Sequence, residues 1–131
     1  MIPLMPKTIA APFGAYSHGI SCGELVVTSG QLAVAADGAV PEGVTAQAEL
    51  CFENIRAILA EGGAGFGDIL RLSAFVTRRE DMAPYMAVRD RMFAGLAVKP
   101  ASTLVIVSGF TRPEFLVEIE ALALLHPASG G

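Results

Sequence analysis

The sequence predicts an α+β domain: a mixed, mainly antiparallel sheet with two helices on one of its faces. Three observations carry that expectation. Residues 44–61 repeat apolar side chains at helical spacing. The run from Phe115 to Leu125 starts with the alternation of a strand. Short apolar runs bounded by glycine, proline or Asp-Gly stand on both sides of that first helix. At 131 residues the chain has the length of one domain with a real core, residues 1–10 and 127–131 being peripheral.

In the first 13 residues Pro3, Pro6 and Pro12 leave Lys7 to Ala10 for a short edge strand. Gly14-Ala15-Tyr16-Ser17-His18-Gly19 is a glycine-bracketed polar segment leading into Ile20. Gly23 marks a turn, and Glu24 to Thr28 is a buried strand ending at Ser29-Gly30-Gln31. A further apolar run, Leu32 to Ala35, meets Asp37-Gly38, a hairpin signal, so these pieces are expected to form an antiparallel meander. From Val44 the period turns helical. Val44, Ala48, Cys51, Phe52, Ile55, Ile58 and Leu59 make one stripe, Glu49, Glu53 and Arg56 lie off it, and Gly62-Gly63 ends it.

Phe66 to Ile69 is a connector, and Leu70 to Thr77 resumes as a strand. Pro84 stands near the start of a second helix that reaches Leu96, with Tyr85, Val88, Met92 and Phe93 on its apolar stripe. Pro100 precedes a strand from Ala101 to Val107, and Ser108 to Glu114 is a loop. The final strand closes the fold, and the tail from Pro127 is expected to fray. On that strand Val117, Ile119, Ala121, Ala123 and Leu125 share one face, and Glu118, Glu120, Leu122 and Leu124 the other. Two helices cover one face of a sheet. The other is apolar enough to drive self-association, so a homo-oligomer is expected.

Composition narrows the function. Hydrophobic residues make up 53% and mean hydropathy is +0.54, yet no run nears the roughly 20 apolar residues of a membrane helix. No leader pattern is present, so a cytoplasmic protein is expected, without a membrane partner. A net charge of −4 and a pI near 5.0 argue against nucleic acid as partner. Cys22 and Cys51 lack ligand spacing and are expected to be buried free thiols. His18 and His126 lie far apart, so no metal site is expected.

No nucleophile elbow, phosphate loop or dinucleotide fingerprint occurs. Small polar groups instead gather at strand ends: Tyr16, Ser17, His18, Ser29, Ser102, Thr103 and the pair Glu118 and Glu120. Alternate carboxylates on a strand stand roughly 7 Å apart, near glycosidase spacing, but so small a chain offers no deep sugar cleft. Each residue also has a plain role. Tyr16 suits a half-buried phenol, Ser29 a turn, and His18 either Tyr16's strand face or solvent. Glu120 suits an interface ion pair with Arg89 or Arg91. For Glu118 two roles stay open, such a pair or a partly desolvated carboxylate suited to activating water.

With these residues in view, the chain resembles the Rid (YjgF) family, also labelled endoribonuclease L-PSP, over Pro12 to Leu125. The likeness rests on Gly14 to Gly19, Thr28-Ser29-Gly30-Gln31, Gln47 with Asn54-Ile55, Gly67-Asp68-Ile69, Lys99-Pro100-Ala101-Ser102 and Val117-Glu118-Ile119-Glu120-Ala121. It implies a chorismate-mutase-like fold and a homotrimer around a central barrel, with sites in clefts between subunits. It also implies cofactor-free hydrolysis of reactive enamines and imines, such as 2-aminoacrylate and 2-iminopropanoate, to a 2-keto acid and ammonium. By position Glu118 takes the water-placing role, Tyr16 and Ser29 the cleft hydroxyls.

One motif departs. Arginine-bearing members read Pro-Ala-Arg and clamp the substrate carboxylate, whereas this chain reads Pro100-Ala101-Ser102. Beside it, Leu104 replaces a frequent cysteine and Met86 a frequent polar side chain. A deaminase or hydrolase acting on C=N or enamine bonds is therefore expected, with Ser102, Thr103, Leu104, Met86 and Arg89 around the small-molecule substrate and little 2-iminopropanoate activity. The alternative is a trimer that binds metabolites without turnover. Ribonuclease activity follows only from the label and conflicts with the acidic charge. Arg89 or Arg91 either replaces the missing charge across the interface or stays solvated.

Overall fold

The computed structural model describes residues 1–126. Its strands are β1 (Ile2–Leu4), β2 (Gly19–Cys22), β3 (Leu25–Thr28), β4 (Ile69–Val76), β5 (Ala101–Ile106) and β6 (Val117–Leu124). The helices are α1 (Val44–Glu61) and α2 (Met82–Met92). One sheet runs β1-β2-β3-β6-β4-β5, antiparallel throughout except for β4 beside β5. That parallel pair follows from α2, because a parallel partner needs a crossover of a dozen or more residues. This is the expected α+β architecture, with β6 inserted at the centre.

The helical stripe of α1 is buried as its spacing predicts, from Val44 to Leu59. It packs on the face of β6 that carries Val117, Ile119, Ala121 and Ala123. Gly63 then adopts φ +79, which an L side chain rarely takes, and turns the chain out of the helix. Between the helices sits an aromatic cluster. Phe52 stacks on Tyr85 with centroids 6.1 Å apart, and meets Phe66 and Phe93 edge-on. Phe52 is wholly buried, so Phe52→Ala should cost about 3–5 kcal/mol, read as a fall in denaturant midpoint with unchanged slope. A loss below about 1 kcal/mol would show that this cluster does not hold the helices together.

Several expectations need correction. The edge strand forms at Ile2–Leu4, pairing with β2 and burying Leu4, while residues 7–9 form a turn and a bend and Ala10 is irregular. Pro3 is tolerated because β1 is at the sheet edge. Leu32 to Ala35 is no strand: after the single bridge of Gln31 to Ile119 the chain leaves β6, and the Val34 N–H bonds to the Leu32 carbonyl. The Ala35 N–H bonds to the Ala39 carbonyl instead, and Gly38 turns the chain at φ +90 without joining two strands. Cys22 is exposed, at the β2–β3 turn, and only Cys51 is buried. Helix α2 stops at Met92, four residues short of the expected end. The expected fraying from Pro127 lies outside the described residues.

Among the described residues no helix lies over the opposite face of the sheet. That face presents Glu118, Glu120, Leu122 and Leu124 of β6, and Ser73 and Phe75 of β4. Thr103 and Val105 of β5 join them by register. Leu70 and Val105 are 44% and 40% exposed. Among the described residues no helix is long and apolar enough to cross a membrane.

Candidate functional site

The strand pairing opens beside Glu118. Leu25 opposite Leu124 and Val27 opposite Leu122 share one register, and the isolated bridge of Gln31 to Ile119 is one residue out of it. Ser29-Gly30 absorbs the extra residue. The Thr28 hydroxyl accepts the Ala121 N–H at 3.0 Å, filling the gap in the ladder. Glu118 folds into this opening and lies over Gly30. A methyl group at position 30 would stand 2.8 Å from the Glu118 carboxyl carbon, so any side chain there would push the carboxylate out of its place.

Half-burial pushes the Glu118 carboxyl above the usual range, and the Glu120 charge adds to the effect. Among the described residues no side chain pairs with it. Its charge also reaches α1: burial first, then Glu118, pushes the Cys51 thiol up. That thiol donates to the Gln31 carbonyl at 3.2 Å, so Cys51 is an inert structural group.

Ser29 is held at the same opening. Its hydroxyl donates to the Ser17 carbonyl at 2.7 Å and its N–H to the His18 carbonyl at 2.8 Å. Tyr16 is 44% exposed, its phenol oxygen accepts the Phe13 N–H at 3.2 Å, and it shares a cavity of about 20 Å³ with Gly30 and Gln31. His18 does not share a strand face with Tyr16 or meet solvent. It is buried, with Nε2 2.7 Å from the Ala10 carbonyl and Nδ1 3.4 Å from Gln31 Nε2. With Nε2 as the donor, Nδ1 accepts from Gln31, and the ring ties the Tyr16 segment to the sheet. Burial of His18 and Gln31 was not legible in a polar stretch, because no periodicity marks it.

A second group of residues meets on the far side of the sheet. Ser102 pairs in register with buried Leu72, so its side chain is on the helix side of β5. There Arg89 of α2 donates from Nη1 to the Ser102 hydroxyl at 3.3 Å. Arg89 Nε and Nη2 donate to Asp90 Oδ1 at 3.1 and 3.0 Å. With Phe93, Lys99 and Pro100 these residues line a groove of about 360 Å³. Met86 and Leu104 are partly buried against the core, and Thr103 is exposed on the uncovered face.

Among the described residues one wholly buried side-chain polar atom lacks a partner: the Tyr85 hydroxyl, whose pKa burial pushes up to about 12. Tyr85 precedes Arg89 by one helical turn, and the Arg89 charge partly offsets that rise.

Glu118, Ser29 and Gly30 thus meet at one opening, with Tyr16 beside Gly30, whereas Ser102 and Arg89 meet elsewhere. Glu118 lies opposite Phe75 on β4, and Ser102 beside Leu72 on the next strand. Two strand spacings and a three-residue offset put their Cα atoms about 14 Å apart. Their side chains leave opposite faces of the sheet. Within one chain, a small molecule cannot touch both. No group of three metal-ligating side chains occurs among the described residues.

The sequence pattern of the family described as Endoribonuclease L-PSP matches residues 7–125. Over 127 residues the chain is 38% identical to the 2-iminobutanoate/2-iminopropanoate deaminase of Salmonella typhimurium, covering 92% of this chain and 98% of that protein. The Escherichia coli protein of the same name is 35% identical over the same shares. Among solved structures, E. coli TdcF with bound serine superposes with a TM-score of 0.91 at 30% identity, covering 96% of this chain and all of that one. The E. coli YjgF gene product gives 0.90 at 31% identity, covering 96% of this chain.

Proposed function

The chain belongs to the Rid (endoribonuclease L-PSP) family, and on that premise we propose that it is a cytoplasmic deaminase of reactive imines or enamines. The observation that carries this reading is the half-buried carboxylate of Glu118, raised in pKa and unpaired, standing over Gly30. Such a group accepts a hydrogen bond from water and takes its proton as the water oxygen bonds to the imine carbon. The imine nitrogen gains a proton, giving a carbinolamine. Glu118 returns its proton to the amine. Collapse to the carbonyl, with the hydroxyl proton lost to solvent, then breaks the C–N bond and releases ammonia, which takes up a proton to become ammonium. An enamine enters the same path after moving a proton to its carbon. Tyr16 and Ser29 orient the substrate, and no metal or cofactor takes part.

The substrate lies between chains in a homotrimer. The Glu118 opening of one protomer faces the Ser102 groove of the next, which overcomes the separation of the two within one chain. The uncovered sheet faces meet at the centre. Bound serine in the TdcF structure supports a small-molecule site in this fold.

Ser102 stands where the resemblance expects a carboxylate-clamping arginine. Losing a charge-assisted clamp at that point should cost about 1.5–3 kcal/mol of binding. An assay that generates 2-aminoacrylate in situ and follows 2-keto acid release should therefore show little acceleration over buffer. Rapid turnover at catalytic protein concentrations would contradict this substrate assignment. The absent clamp also favours a second reading, a trimer that binds metabolites without turnover. That reading requires that Glu118→Ala leave ligand affinity and biological function intact.

A further inference from the structure

On the deaminase reading above, we propose that Arg89 binds the substrate's carboxylate, and that this carboxylate stands at least one carbon further from the C=N carbon than in a 2-imino acid. Arg89 is unusually enclosed for an arginine on a helix, its side chain 24% exposed. Its Nη1 reaches the Ser102 hydroxyl at 3.3 Å, so a guanidinium is present beside position 102, but supplied from α2. The other cation of the groove is spent: Lys99 donates to the carbonyls of Phe93, Ala94 and Leu96, closing the end of α2. Among the described residues that line the groove, Arg89 is the one positive charge left to face a ligand.

Its present partner is exchangeable. Asp90 is adjacent in sequence and 71% exposed, and a surface pair of this kind contributes little. A ligand carboxylate entering the groove takes the place of Asp90 on the guanidinium fork and accepts from Ser102. Pro100 lines the same groove and offers an apolar wall to a hydrocarbon spacer. A volume of about 360 Å³ suits such a molecule and exceeds what a three-carbon acid fills.

The guanidinium lies one hydrogen bond behind the strand position. In the trimer proposed above, a carboxylate held there stands back from the neighbour's Glu118 by the same step. A 2-imino acid, whose carboxylate is bonded directly to the imine carbon, then falls short of the water. A longer acid spans the gap.

Stable oxo acids, with C=O in place of C=N, test this by calorimetric titration of the assembled protein. We expect 4-oxopentanoate to bind roughly 10-fold or more tighter than 2-oxopropanoate. Arg89→Met should weaken 4-oxopentanoate by roughly 10- to 100-fold. Arg89→Lys should fall between, since it keeps the charge and loses the fork. Asp90→Asn should tighten binding by roughly 2- to 5-fold. Unchanged affinity in Arg89→Met, with circular dichroism and assembly intact, would overturn the proposal, as would tighter binding of 2-oxopropanoate. If Arg89 proves dispensable while turnover still requires Glu118, the deaminase reading stands alone. If Arg89 governs binding but turnover is absent, the anion site stands and the deaminase reading falls.

Discussion

Glu118→Gln should lower turnover by about two to four orders of magnitude, the usual contribution of a positioned general base, and at the same time stabilise the fold at neutral pH. Both effects come from one cause. Burial, and secondarily Glu120, raises the Glu118 pKa above its unfolded value. The folded protein therefore binds this proton more tightly than the unfolded chain does. Stability from this group is fully present below the unfolded pKa and is lost as pH rises through the raised folded pKa. Glutamine removes that loss. The variant should melt higher than the parent at neutral pH, and the difference should vanish in acid, below the ordinary carboxylate range. Turnover of the parent should fall as pH drops through the same raised pKa. Equal kcat in parent and variant would remove Glu118 from the mechanism.

Val105→Asp should separate the chains and abolish turnover without unfolding them. Val105 is on the uncovered face of an edge strand and 40% exposed, so a charge there is readily hydrated in a lone protomer. In the assembled protein the same carboxylate would be desolvated beside Phe75 on the covered sheet face, at a cost of several kcal/mol per copy. Light scattering at micromolar concentration should give a trimer for the parent and a monomer for the variant, with the same far-ultraviolet spectrum. A monomeric parent, or a trimeric and active variant, would contradict the assembly proposed here.

Much of the fold is legible in the sequence because its elements have clear periods. The α1 stripe, the alternation of β6 and the stop at Gly62-Gly63 are local properties, and each appears where the pattern puts it. The errors fall where partners decide. Leu32 to Ala35 has strand-like residues but leaves β6 after the Gln31 bridge, where the Val34 N–H turns back to the Leu32 carbonyl. Ile2 to Leu4 contains a proline but lies at an edge that tolerates it.

The site divides in the same way. Glu118 stands out as a carboxylate in an apolar run, and Gly30 beneath it belongs to a motif. Arg89 reads only as a charged residue on a helix face. Its contact to Ser102, 13 residues on, exists because α2 crosses over to set β5 parallel to β4. No local pattern encodes that meeting. His18 and Gln31 are hidden for the same reason, as their hydrogen bonds join a polar loop to a strand end.

The central claim is that one site takes Glu118 from one chain and Arg89 from its neighbour, and mixing two inactive variants tests it most directly. Glu118→Gln and Arg89→Met proteins would be unfolded together, refolded in equal amounts and assayed against each protein refolded alone. If the groups come from different chains, a cleft is intact whenever an Arg89→Met chain supplies Glu118 and a Glu118→Gln chain supplies Arg89. Random assembly then restores roughly a quarter of the parent activity. If both groups of a site come from one chain, every cleft stays defective, and mixed refolding that restores nothing would contradict the account.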